Sequence, residues 1–421
     1  MKSNAAPSHA ALAANPAVAP REFFIDWLRI GALGLLILFH VGMAYTSWSW
    51  HVKSAAAADV AAFVEPWMRL TAPWRMTLLF VVSGLATSLM LQRRSAAGST
   101  ASRGWLRQRA RRLLLPLLTG IVLIVPPQSY VEVRQFHGYA GSYLDFLPLY
   151  FSGHSGFCAP GRGCLILPTW NHLWFLPYLF AYTALLAAVH RRWPEALDQA
   201  AARLPGHLVG AWFLAGPFAW LALTRIGLAP IFGETHAFVD DLFLHVQFAP
   251  AFALGVLLAR TPAAALWPRL VAQRHAALAI ALLAWGLIIA TKPGAPWRAL
   301  PWSLMQWCAI VAVLGYARRH LQRDSALRAR LSEAVFPVYV LHQTVTVLGM
   351  VLLARWHWPA GVEAAALLAF TLAASWAGYE LVRRVGVLRP WFGLVALRAR
   401  PAGGQGTEVA EMRAIDPRVS T

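Results

Sequence analysis

An all-α, polytopic integral membrane protein with about ten transmembrane helices and both termini cytoplasmic is predicted by three features of the sequence. Of the 421 residues, 58% are hydrophobic and only 13% charged, a balance that excludes a soluble enzyme or a disordered chain. Ten stretches are apolar over the roughly 20 residues that a bilayer crossing requires, centred on 24–46, 72–92, 113–131, 171–190, 206–224, 240–260, 275–291, 297–317, 334–355 and 361–384. An even number returns both termini to one side, and this arrangement puts 28 of the 37 Lys and Arg on that side and 9 opposite. The positive-inside bias makes that side the cytoplasm.

Residues 1–20, rich in Ala, Ser and Pro, read as a disordered leader, because no compact apolar core with a cleavage site follows the single lysine. The first span carries Asp26, Arg29 and His40. Eleven helical residues return to within about 20° of the same face after a rise of about 16 Å, so Arg29 at one mouth and His40 inside the bilayer share a face. Ionisable groups at such depth usually mark a functional path, although a packing histidine and a snorkelling arginine would satisfy the same pattern. Asp26, three residues before Arg29, is placed to orient it by an ion pair.

The second span opens at Arg75 and contains Ser83-Gly84. Gly84 suits a close helix approach and Ser83 a bond across it, more than a nucleophile's role. The following loop holds Arg93-Arg94, Arg103, Arg107, Arg109 and Arg111-Arg112. Topology and anionic headgroups account for such a cluster, and nucleic acid is not expected as a partner. Cys158 and Cys164 lie in a long outer loop, where they can form a disulfide in an oxidising compartment. Two free thiols, or a metal site completed by His154, are the alternatives. Two Cys and one His fall short of the usual four zinc ligands, so no metal is expected.

His172 and Trp174 open the fourth span at the outer face, where, like the loop around His51, they could grip a sugar or simply populate the interface. Glu234, His236, Asp240, Asp241 and His245 precede or open the sixth, where an exposed polar helix start is the expectation. Cys308, in mid-span, reads as inert filler. The ninth holds Tyr339, His342 and Gln343, whose phenol, imidazole and amide suit an oxyanion site or a substrate clamp. Residues 385–421 read as an interfacial segment around Arg389-Pro390-Trp391-Phe392 and a flexible end. No internal repeat is evident, which speaks against a secondary transporter.

In order, Arg29-x10-His40, Ser83-Gly84, Arg109-x-x-Arg112, His172-Leu173-Trp174-Phe175-Leu176 and Tyr339-x-x-His342 resemble the membrane-bound acyltransferase family 3 across residues 21–384. The first hundred residues look closest to a glucan-biosynthesis branch associated with succinylation of periplasmic glucans. The resemblance implies transfer of an acyl group from a cytoplasmic acyl-CoA, succinyl-CoA or acetyl-CoA, to a hydroxyl of a periplasmic glucan or other envelope glycan. The acyl-CoA is a substrate, and no bound cofactor is implied. Arg29, Arg109 and Arg112 would hold the donor phosphates. His40, or its rival His342, would act as base or transient acyl carrier. Arg75 would be the cation for a succinyl carboxylate, with an interfacial anchor near the outer face as the alternative. O-acetylation of lipopolysaccharide or peptidoglycan sugars and a proton-coupled solute carrier are the competing readings, and the expected location is the bacterial inner membrane.

Overall fold

The structure, a computed structural model, describes residues 22–96, 104–207 and 212–396. The expected leader and the tail beyond residue 396 lie outside the described residues. Apolar runs become helices here because a bilayer offers no water to backbone N–H and C=O groups. The long helices are α1 (Phe23–Met43), α3 (Arg75–Ala96), α7 (Phe175–Arg192), α9 (Trp212–Phe232), α10 (Leu242–Arg260), α11 (Ala263–Ala290), α12 (Ala299–His320), α13 (Ala326–Leu353) and α14 (Ala360–Arg384). Each is long and apolar enough to cross a membrane.

The remaining expected crossing is broken. Helix α4 (Trp105–Thr119) runs through a π-turn at Gly120–Ile124 into α5 (Pro126–Phe136), with a 41° bend between the two parts. Pro126 and Pro127 lack the N–H groups that would continue the ladder, which is a sufficient cause of the break. Gln128 N–H then bonds Val125 O, and the freed Ile124 O accepts from Thr344 Oγ1 of α13 at 2.6 Å. Counting that pair as one span, the described residues supply ten candidate crossings, in the order expected from the apolar runs.

Three shorter helices, α2 (Ala57–Arg69), α6 (Tyr143–Phe151) and α8 (Ala196–His207), join the spans. Helix α2 leaves Phe63 and Trp67 exposed and is fastened at its proline, where Pro66 O accepts from Trp285 Nε1 at 2.8 Å. Between α6 and α7, β1 (Cys158–Ala159) and β2 (Gly163–Cys164) pair antiparallel, and Cys158 and Cys164 form a disulfide.

The largest apolar core lies among α1, α3, α4, α7, α10, α11 and α12. Its tightest crossing is reciprocal. A Cβ on Gly84 of α3 would stand 2.0 Å from Phe252 O, and one on Gly255 of α10 would stand 1.9 Å from Val81 O. Small residues that let backbones touch are the usual means of helix association in lipid. Gly84→Val is therefore expected to push α3 from α10 and lower the yield of monodisperse protein and its melting temperature. Ser83→Ala, with no such overlap, should leave both near wild type, and equal behaviour of the two variants in thermal melts would refute the crossing.

Candidate functional site: a histidine pair above an arginine-lined cavity

His40 lies in the last turn of α1 and faces α13, which brings the fully buried His342 alongside it. His40 Nδ1 and His342 Nε2 are 2.8 Å apart, and the rings stack with centroids at 5.0 Å and 13° between planes. The other nitrogen of His342, Nδ1, lies 2.7 Å from Tyr339 O, three residues earlier in the same helix. A carbonyl only accepts, so His342 Nδ1 carries a proton and its Nε2, in the neutral ring, accepts. His40 Nδ1–H then donates, which leaves the lone pair of neutral His40 on Nε2. The helix backbone thus selects one basic nitrogen out of four.

His172 completes a histidine cluster. Its ring centroid stands 5.2 Å from that of His342 and 6.4 Å from that of His40. Its Nε2–H donates to Val340 O at 3.1 Å, so its buried Nδ1 is an acceptor without a partner. The Tyr339 hydroxyl donates to His172 O at 2.7 Å and is committed there; its ring faces the cavity below. Trp50, on the loop after α1, stacks across His40 at 6.4 Å and 20°.

Beside it, His51 Nδ1–H donates to Glu132 Oε2 of α5 at 2.5 Å, and His51 Nε2 accepts from Gln343 Nε2 at 2.9 Å. Gln343 and Asn171 both donate to Gln128 Oε1 at 3.0 Å, while Gln128 donates to Thr344 at 2.6 Å. This polar ladder ties the loop after α1, α5, the lead-in to α7 and α13 around the histidines. Gln343 is therefore a scaffold residue whose amide is engaged on His51 and Gln128. Glu132 and Gln128 were missed in the sequence; the available signal was a carboxylate and an amide four residues apart just beyond a double proline.

On the other side of the pair, toward the basic end of the bundle, a narrow cavity of about 120 Å³ begins at Arg29, Arg109 and Arg112. Ser83 lines its wall. It ends at Leu36 and Tyr339, one helical turn short of His40 and His342. No carboxylate lines it, and Arg29 and Arg112 make no ion pair among the described residues. Arg109 and Arg112 also line a second cavity of about 400 Å³, which opens at the same end with Arg94, Arg111 and Trp105.

The expected Asp26–Arg29 pair is corrected by the structure. Asp26 bonds Arg328 NH1 and accepts from Ser332 Oγ at 3.3 Å. Arg328 is fully buried and anchored by Asp324 as well, so a buried cation on α13 takes the carboxylate while Arg29 turns into the cavity. The expected exposed polar start at 240–245 holds for Asp240, which is exposed, and is corrected for Asp241. Asp241 is wholly buried and bonds Tyr178 OH and the N–H of His236, whereas His245 bonds Tyr182 OH and Phe238 O. Trp174 packs in that aromatic group, 4.3 Å from the His236 ring and 5.7 Å from Phe248.

Arg75, 4% exposed, opens α3 and lines neither of these cavities. Its guanidinium sits 3.8 Å from the Phe39 ring centroid and donates to Thr71 Oγ1 at 3.2 Å. Its Nε has no partner, and no carboxylate pairs with it among the described residues. A buried guanidinium without an anion is costly, and this one neighbours the residue preceding His40. Among the described residues no group of three or more His, Cys, Asp or Glu is arranged to hold a metal ion, and the disulfide engages both Cys158 and Cys164.

Residues 22–380 match the profile of an acyltransferase 3 family described as an acyltransferase domain. Among curated proteins, "Glucans biosynthesis protein C" of Escherichia coli K12 is 29% identical over 178 residues, 42% of this chain and 41% of that protein. Its counterpart in Escherichia coli O1:K1 is 30% identical over the same length. The chain thus aligns with less than half the length of these relatives. No solved structure matches.

Proposed function

The chain belongs to this acyltransferase family, and from that premise we propose that it is a membrane-embedded O-acyltransferase. It moves a succinyl or acetyl group from an acyl-CoA at the cytoplasmic face to a hydroxyl of a periplasmic glucan or other envelope glycan. The observation that carries the reading is the single basic nitrogen of His40, one turn above a cavity whose far mouth holds three arginines and no carboxylate.

In the proposed reaction Arg29, Arg109 and Arg112 bind the donor's phosphates by charge-assisted hydrogen bonds, and the slender thioester arm enters the 120 Å³ cavity toward Tyr339. Basic residues gather at this end, which supports assigning it to the cytoplasm of an inner membrane. His40 Nε2 takes the proton of the acceptor hydroxyl as its oxygen attacks the thioester carbonyl. The resulting imidazolium shares its charge with His342 through the 2.8 Å bond, and the proton then goes to the departing thiolate. Ester and free thiol are the products. A two-step route, with the acyl group carried on His40, would use the same lone pair. Exposure to donor alone separates the two, because only the two-step route adds an acyl mass to His40.

His172 Nδ1, an unsatisfied acceptor beside the pair, suits a second hydroxyl of the sugar. The anion-free Arg75 supports succinyl over acetyl as the transferred group, since a succinyl chain ends in a carboxylate. Mass spectrometry of periplasmic glucans and envelope polysaccharides tests the whole reading, in cells lacking the protein, complemented, or complemented with His40→Ala. A succinyl mass restored only by the wild-type chain is expected. An acetyl mass would reassign the acyl group, and a change confined to lipopolysaccharide or peptidoglycan would reassign the acceptor. Identical profiles would refute glycan acylation and turn attention to solute transport.

A further inference from the structure

The outer hairpin is tied to the histidine site through one side chain. Gly161 and Gly163 both take positive φ (74° and 75°), a conformation that suits glycine, and between them the hairpin closed by Cys158 and Cys164 presents Arg162. The Arg162 guanidinium lies 3.4 Å from the ring centroid of Phe136, the last residue of α5. It donates to Trp50 O at 3.2 Å and to Ser49 Oγ at 3.4 Å. Trp50 is the residue whose ring stacks on His40, and its neighbour His51 is bonded to Glu132 of the same α5. Phe136, Glu132 and Arg162 therefore hold the loop at 49–51 from one side. The same loop is held from the other by Lys53, whose ammonium donates to Met43 O at 2.6 Å and Thr46 O at 2.8 Å. Arg162 also reaches Lys53 electrostatically: burial first, and then the Arg162 charge, bring the Lys53 ammonium down to about 8.

We propose that Arg162 is a positioning residue, which the Cys158–Cys164 hairpin holds against Trp50 so that the Trp50–His51 loop forms the acceptor-side wall over His40. Opening the disulfide would then weaken acceptor binding through Arg162. The proposal rests on His40 being the transfer centre and names a device acting upon it. No existing contact of Arg162 reaches His40, His342 or the arginine-lined cavity, so its effect belongs to the acceptor and not to the donor.

The test uses the full-length protein in detergent, with the acyl-CoA it turns over as donor and a soluble glucose oligosaccharide as acceptor. Arg162→Gln is expected to raise the acceptor KM about tenfold, the size of a lost charge-assisted hydrogen bond, while donor KM and kcat change less than twofold. Dithiothreitol should do the same to the wild type, as should Cys158→Ser with Cys164→Ser, and it should add nothing to Arg162→Gln. The pH profile of Lys53 labelling by an amine reagent should move upward from about 8 in Arg162→Gln, a readout that needs no turnover. The proposal fails if Arg162→Gln lowers kcat at unchanged acceptor KM, or if reductant raises acceptor KM equally in Arg162→Gln and wild type. If instead His40→Ala keeps its activity, the transfer-centre reading falls first, and the Lys53 profile still reports whether Arg162 holds the loop.

Discussion

His40→Ala is expected to lower kcat by about a thousandfold, within the usual range for a lost general base, without displacing the protein from the membrane. The reason is that hydrogen bonding leaves the His40–His342 pair a single free basic nitrogen. Tyr339 O takes the Nδ1–H of His342, His342 Nε2 takes the Nδ1–H of His40, and of the pair's four nitrogens only His40 Nε2 remains to accept a proton. Alanine also strips His342 Nε2 of its donor, which costs about 1–3 kcal/mol for an unsatisfied buried group. His40→Gln removes that objection, since its amide can still donate to His342 yet cannot act as base. Both variants should lose kcat to the same extent, the second with a wild-type melting temperature. His342→Gln should lose less, about 10–100-fold, because a His40 with a weaker partner still presents an imidazole. Turnover by His40→Gln near the wild-type rate would remove His40 from the chemistry.

Arg109→Ala and Arg112→Ala are expected to raise the donor KM by about 10–100-fold each, the size of one charge-assisted hydrogen bond, and to leave the acceptor KM in place. Both side chains border the narrow cavity and the wider basic one beside it, where the proposed donor's phosphates would sit. Arg112 has no ion pair among the described residues to lose, and Arg109 makes a 3.3 Å bond to Thr87 Oγ1. Stability should therefore change little, in contrast with Arg328, which anchors Asp26 and Asp324 in the fold. Lysine at either position should recover only part of the affinity, because a point charge does not reproduce the planar fork of guanidinium on phosphate. Measured with both substrates varied, equal rises in donor and acceptor KM would show that these arginines hold the bundle together and do not recognise the donor.

The number and order of the ten candidate crossings were legible in the sequence because the cause is local. A bilayer forces each backbone polar group to bond within its own segment, so an apolar run of sufficient length becomes a helix wherever its neighbours lie. The shared face of Arg29 and His40 is local too, being a property of 3.6 residues per turn, and the close approach at Gly84 was readable from a residue without a side chain. The broken fourth-and-fifth helix was half visible, since Pro126-Pro127 announces a break but not the π-turn or its cap by Thr344.

What joins His40 to His342 across 302 positions, gives Asp26 to Arg328 in place of Arg29, and brings Arg162 onto Trp50 was decided by the tertiary structure alone. Those contacts depend on which helices are neighbours and on how each is rotated, and a carboxylate three residues from one cation goes to another when the second is buried without it. The sequence by itself determined that ionisable side chains stand inside the membrane. Only packing decided which of them share a proton, because hydropathy and helical period describe a segment against its solvent, whereas a hydrogen bond between segments needs the coordinates of both.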